Sequence, residues 1–191
     1  MTTESPTSSD QDVVDILTAD HQAMLELIGE IKQATHAELR RDTADTVIAE
    51  IVRHSVAEEM QVYPAMKEYL PNGAEEVEHD IQEHKELDEV MKRLEDVPAD
   101  DGRFMQVLDE LEAHLRHHVS DEEDEQFPKL REHIPAEQLR EMGEKVEKAK
   151  HMAQTRPHPN APHSQLYHKT VGAGVGMVDR LRDKLTNRKT D

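Results

Sequence analysis

The chain of 191 residues carries 42 Asp and Glu against 23 Lys and Arg, a net charge of −19 with histidine neutral, and no cysteine. These figures exclude disulfides, thiolate catalysis, iron–sulfur clusters and cysteine-ligated zinc, and so acidic a surface repels nucleic-acid phosphates. With 35% hydrophobic and 34% charged residues, few aromatics and seven glycines, the composition suits amphipathic helices rather than a β-sandwich or barrel.

Residues 1–11 are polar and predict a disordered lead, without the basic and apolar regions of a secretory signal. From Asp12 to about Ala37, Val14, Leu17, His21, Met24, Ile28 and Ile31 recur at spacings of three and four, the inward stripe of a helix. A second helix is predicted from about Thr43 to Tyr69, with Val47, Ile51, His54 and Glu58 in line and a kink or stop at Tyr63-Pro64. PNG at 71–73 is a turn signal. A third helix, from about Ala74 to Glu95, aligns Val77, Asp80, His84, Leu87, Met91 and Leu94. DVPADDG breaks it. A fourth, from about Arg103 to Gln126, aligns Phe104, Leu108, Leu111, Leu115, His118 and Glu122 and stops at Phe127-Pro128.

A fifth helix, rich in Glu and Lys, is predicted from about Ala136 to Gln154. The bundle with this helix accounts for residues 12–155, and residues 156–191 form a Pro-rich linker and a short tail helix. In that tail Gly174, Val178, Leu181 and Leu185 fall on one face. The tail carries a small basic excess, so it either hangs loosely or docks on the acidic body, on a partner or on a membrane surface. No apolar run approaches the roughly 20 residues needed to span a bilayer, and the expected location is cytoplasmic. GAGVG follows no predicted strand and makes no dinucleotide fingerprint.

The first and third stripes match at an offset of 63 residues: Val14 with Val77, His21 with His84, Met24 with Leu87, Ile28 with Met91, Ile31 with Leu94. The second and fourth match at 64: His54 with His118, Glu58 with Glu122, Tyr63 with Phe127, Pro64 with Pro128. A helix pair repeated twice and joined by short turns predicts an all-α fold: an up-down-up-down antiparallel four-helix bundle with an additional C-terminal helix and a partly flexible tail.

Thirteen histidines invite a metal hypothesis, and each inward stripe holds one where leucine would otherwise fit. Two stripes add a Glu one turn later, on the same face. Burying four imidazoles and two carboxylates without partners would cost several kcal/mol per group. A metal removes that cost, because it needs neutral imidazole and ionised carboxylate. Six donors are too many for one tetrahedral zinc. They suit two cations with Glu58 and Glu122 between them, and the mixed donor set favours non-haem iron.

At Asp20-His21, HSVAEE with its YP, EHKEL, and HVSDEE with its FP, the sequence resembles the hemerythrin-like, or HHE cation-binding, family across roughly residues 12–130. That resemblance implies an antiparallel bundle around an oxo- or hydroxo-bridged pair of non-haem iron ions. It implies His21, His54, His84 and His118 as terminal metal ligands, with Glu58 and Glu122 bridging. Oxygen-carrying members have a further histidine four residues before the one matched by His84. Here that position is Asp80, which is either a ligand or a group that orients His84, with neighbouring His79 a poorer substitute.

The departure at Asp80 changes the charge on the metals and the count of open positions. The reading is therefore a protein that binds or senses O2, NO or peroxide. The alternative is a di-iron enzyme with catalase- or peroxidase-like activity on hydrogen peroxide. The implied partner is a small diatomic or peroxide ligand, with neither nucleic acid nor a membrane span.

Overall fold

The computed structural model describes residues 11–161, 163, 168, 172–186, 188 and 190. Almost all of the predicted lead lies outside these residues. Helix α1 spans Val13–Gln33 and is started by Asp12, whose side chain accepts from the Asp15 N–H at 3.0 Å while Asp15 accepts from the Asp12 N–H at 3.1 Å. This reciprocal cap satisfies backbone donors that the first turn leaves open. Arg131 fastens it to the far end of the repeat through Asp12 at 2.9 Å and Asp15 at 2.6 Å.

Helix α2 spans Ala37–Ala57, beginning six residues earlier than predicted. It does not stop at Pro64. A π-helical turn, Glu58–Val62, carries it into α3, Tyr63–Tyr69. Helix α4 spans Gly73–Asp96 and α5 spans Arg103–Asp121. The second π turn, Glu122–Gln126, leads into α6, Phe127–His133. The second helix thus reaches its predicted end at Tyr69 through a widened turn, whereas the fourth runs on past its expected end at Gln126, and the physical reason is local. Proline has no N–H, and its ring would strike the carbonyl four residues back. In each case the aromatic before the proline donates five residues back, Tyr63 to the Glu58 carbonyl and Phe127 to the Glu122 carbonyl, and the wider turn makes room.

Helices α1 and α2 pair, as do α4 and α5, and contacts of α1 with α5 and of α2 with α4 close the antiparallel bundle. Leu17, Ile28, Ile31, Ile48, Ile51, Leu87, Leu94, Phe104 and Leu108 are fully buried between them, each contributing about 1.5–3 kcal/mol of burial. The turn before α4 depends on Gly73: a Cβ there would lie 1.9 Å from the Met66 carbonyl oxygen.

Helix α7, Ala136–Met152, packs across α1 and α2. The tail helix α8, Ala173–Thr186, leans on the end of α7. Val178 is 59% exposed and so is not part of a packing face. The side chains of its predicted companions Leu181 and Leu185, and the burial of Gly174, lie outside what the structure describes. Described residues of the linker and tail pair with the body. The Arg188 side chain, 4% exposed, lies 2.6 Å from Glu95, and Arg156 bridges Asp183 at 2.7 Å and Glu95 at 3.3 Å. Among the described residues no helix is long and apolar enough to cross a membrane.

Candidate metal centre

The stripes converge where sequence periodicity aims them, at the level of the π turns. His21, His54, His84, His118, Glu58 and Glu122 are all buried. Nε2 of His21 and Nε2 of His54 stand 3.0 Å apart. His54 Nε2 is 3.2 Å from Glu58 Oε1, and His21 Nε2 is 3.2 Å from Glu122 Oε2. The opposite oxygens face the other half of the repeat. Glu58 Oε2 lies 3.4 Å from His84 Nε2 and 3.9 Å from His118 Nε2, and Glu122 Oε1 lies 3.6 Å from His118 Nε2. Each carboxylate therefore turns one oxygen to the His21–His54 pair and the other toward the His84–His118 pair.

The outer nitrogen of every one of these rings meets a carboxylate. His21 Nδ1 is 2.8 Å from Glu123, His54 Nδ1 3.3 Å from Asp20, His84 Nδ1 3.1 Å from Glu59, and His118 Nδ1 2.9 Å from Glu83. An ionised carboxylate only accepts, so Nδ1–H donates and Nε2 is the atom left facing inward, able to offer its lone pair when the ring is neutral. The arrangement repeats with the helix pair: Asp20 corresponds to Glu83 and Glu59 to Glu123, at the same 63- and 64-residue offsets. The aromatics of the π turns stack on two of the rings, Phe127 on His21 at 5.8 Å and Tyr63 on His84 at 5.6 Å.

This centre calls for positive charge. Both oxygens of Glu58, Oε2 of Glu122 and Nε2 of His118 are buried without a hydrogen-bond partner, which is costly for groups of this kind. Burial pulls the His54 pKa down, yet the Glu58 charge and Asp20 overcome it and raise it to about 10. Burial opposes ionisation of Glu58 too, but His54, His84 and His118 hold it well below the usual carboxylate range. Imidazole lone pairs and carboxylates crowded together fit a cation between them. Ligand atoms of His21, His54, Glu58, His118 and Glu122 all lie within 4.8 Å of one another. His84 joins them through Glu58.

Asp80 is fully buried and breaks the symmetry, since its counterpart is Leu17. Its Oδ1 accepts from Gln126 Nε2 at 2.7 Å, and its Oδ2 has no hydrogen-bond partner. Burial, helped by the Glu122 charge and opposed by Gln126, pushes its pKa up to about 7. His79 does not take its place; it is exposed on the bundle surface. The Tyr63 hydroxyl lies 3.1 Å from His84 Nε2, at the same end as Asp80.

Sequence periodicity missed a further contribution from the linker. Glu59, behind His84, also accepts from His163 Nδ1 at 2.8 Å and His168 Nε2 at 2.7 Å. Their spacing of about a hundred residues from Glu59 left no local signal.

An antiparallel helical bundle that gathers imidazoles and carboxylates at its centre defines a cation-binding helical protein. Residues 12–130 match the hemerythrin HHE cation binding domain, and the chain belongs to that family. It is 30% identical over 174 residues to an uncharacterized hemerythrin-like protein of Schizosaccharomyces pombe, covering 91% of this chain and 86% of that one. It is also 21% identical over 173 residues to a DNA nickase of Nostoc sp. PCC 7120, covering 91% of this chain but 46% of that one. No solved structure matches the chain.

Proposed function

We propose that the chain holds two non-haem iron ions and uses them to bind or sense a small oxygen or nitrogen species: O2, NO or peroxide. One observation carries this reading. Glu58 and Glu122 each divide their two oxygens between two pairs of inward imidazoles. His21 and His54 would hold one ion, His84 and His118 the other, with both carboxylates shared. Bound iron supplies redox change and a position for a small ligand.

The protein's own residues do the rest. Glu123, Asp20, Glu59 and Glu83 fix the ring tautomers and keep the Nε2 atoms aimed inward. Phe127 and the apolar core beneath exclude water. Asp80 sets a carboxyl with one unpartnered oxygen near His84 and His118, on one side only.

That asymmetry favours a second reading, an enzyme acting on hydrogen peroxide, because Asp80 Oδ2 can hold or release a proton near the centre. The likeness to the DNA nickase points to a shared domain only: a chain with net charge −19 repels a phosphate backbone.

Elemental analysis, a visible spectrum and peroxide addition test these readings. A coloured protein whose spectrum peroxide or NO shifts once supports binding. Steady O2 evolution that disappears in His118→Ala establishes the enzyme. A colourless protein that retains no iron after reconstitution overturns both.

A further inference from the structure

Outside the buried centre, a second group of imidazoles and carboxylates meets on the outer face of α4 and α5. His79 and Glu83 stand one turn apart on α4, and His117 and Asp121 one turn apart on α5. His79 Nε2 lies 3.5 Å from Glu83 Oε1 and 3.3 Å from Asp121 Oδ2. His117 Nε2 lies 3.6 Å from Glu83 Oε1, and its Nδ1 3.5 Å from Asp121 Oδ1. One ligand atom from each of the four lies within 4.8 Å of the others. Four donors at about 2.0–2.1 Å around a tetrahedral zinc stand roughly 3.3–3.5 Å apart; each imidazole already stands 3.3–3.6 Å from both carboxylates, and binding would draw one atom of each residue together from within 4.8 Å.

A second observation points to a ligand here. Glu83 is 8% exposed, and its two oxygens have different surroundings. Oε2 accepts from His118 Nδ1 at 2.9 Å, whereas Oε1, aimed into the surface group, is buried without a hydrogen-bond partner. The repeat shows what such a carboxylate wants. Its counterpart Asp20 accepts from His54 and is gripped by the ammonium of Lys150 at 2.7 Å, supplied by α7. Helix α7 covers α1 and α2. At Glu83 the residues matching Ile16, Arg53 and Ala57 on the other side are His79, His117 and Asp121. Where one half of the molecule places its own cation, the other half places cation ligands.

We propose that His79, Glu83, His117 and Asp121 form an outer site for a single divalent transition cation, with zinc the best fit to two imidazoles and two carboxylates. His117 contributes one of its two nitrogens. The bound ion neutralises Glu83 from outside, as Lys150 neutralises Asp20, and so reaches His118 through one shared carboxylate. This link to the buried centre rests on the metal reading of that centre; the outer site does not.

The test is a zinc titration of the full chain after iron loading, followed by calorimetry and by elemental analysis of the gel-filtered protein. Wild type is expected to retain about one more zinc per chain than His79→Ala/His117→Ala, with iron content equal in the two. Both substituted side chains are exposed, so the bundle stays folded. Asp121→Asn, a milder change, is expected to weaken zinc binding roughly tenfold. Equal zinc retention by wild type and the double variant overturns the proposal. If the buried centre takes no iron at all, the zinc difference between the two proteins still decides the outer site.

Discussion

Lys150 places its ammonium 2.7 and 2.8 Å from the two oxygens of Asp20, and Asp20 Oδ2 meets His54 Nδ1 at 3.3 Å. A helix outside the four-helix bundle thus sets the charge behind one inward imidazole. Lys150→Met keeps the stem and removes the charge. It is expected to cost about 1–2 kcal/mol in chemical denaturation and to speed iron loss to a chelator roughly tenfold. Unchanged chelation kinetics would show that Asp20 needs no partner.

Asp80 stands at the position, four residues before His84, where the resemblance to hemerythrin-like proteins puts a fifth histidine in the oxygen-carrying members. Asp80→His supplies the missing imidazole at a position four residues before His84, on the same helical face. The variant is expected to take up O2 reversibly, with a visible spectrum that returns on each vacuum cycle, and to lose any peroxide turnover. A variant that behaves as wild type would assign the functional difference elsewhere.

Gly73 lies against the Met66 carbonyl, with no room for a methyl group. Gly73→Ala must push α4 away from α3, and a loss of about 1–3 kcal/mol is expected on thermal or denaturant unfolding. A neutral result would mean that the turn relaxes freely.

Asp88 is buried on α4, and burial, against the pull of nearby His163 and His84, raises its pKa to about 6. The fold therefore prefers its protonated form. Its contribution is present below the unfolded value and is lost as pH rises from near 4 through about 6. Asp88→Asn removes that loss. The variant is expected to exceed wild type by about 1–3 kcal/mol at pH 8, with the gap narrowing below pH 6 and closing toward pH 4. A constant gap across this range would point to a packing effect instead.

Much of the fold was legible because the period of the apolar stripe and the repeat offset agree at every matched position. The inward histidines and Glu58 and Glu122 stood out as polar residues where leucine belongs. Asp20 and Glu83, behind His54 and His118, did not, since each sits one residue off the stripe and reaches sideways to a neighbouring helix. Their signal was present all the same: an acid precedes His21 and His84, as a second Glu follows Glu58 and Glu122. The π turns were hidden for another reason. A proline after an aromatic reads as a kink or a break, and only the wide backbone bond from Tyr63 or Phe127 reveals a π turn there. Contacts from the linker to Glu59 have no short-range trace at all.

The family match ends at residue 130, yet Lys150, His163 and His168 all come later. A fragment severed at that boundary would keep the candidate ligands and forfeit the groups that poise two of them, Asp20 losing its counter-ion and Glu59 two of its donors. The portable unit is thus longer than the recognisable one, and swapping bundles between relatives would transplant the chamber without its outer bracing.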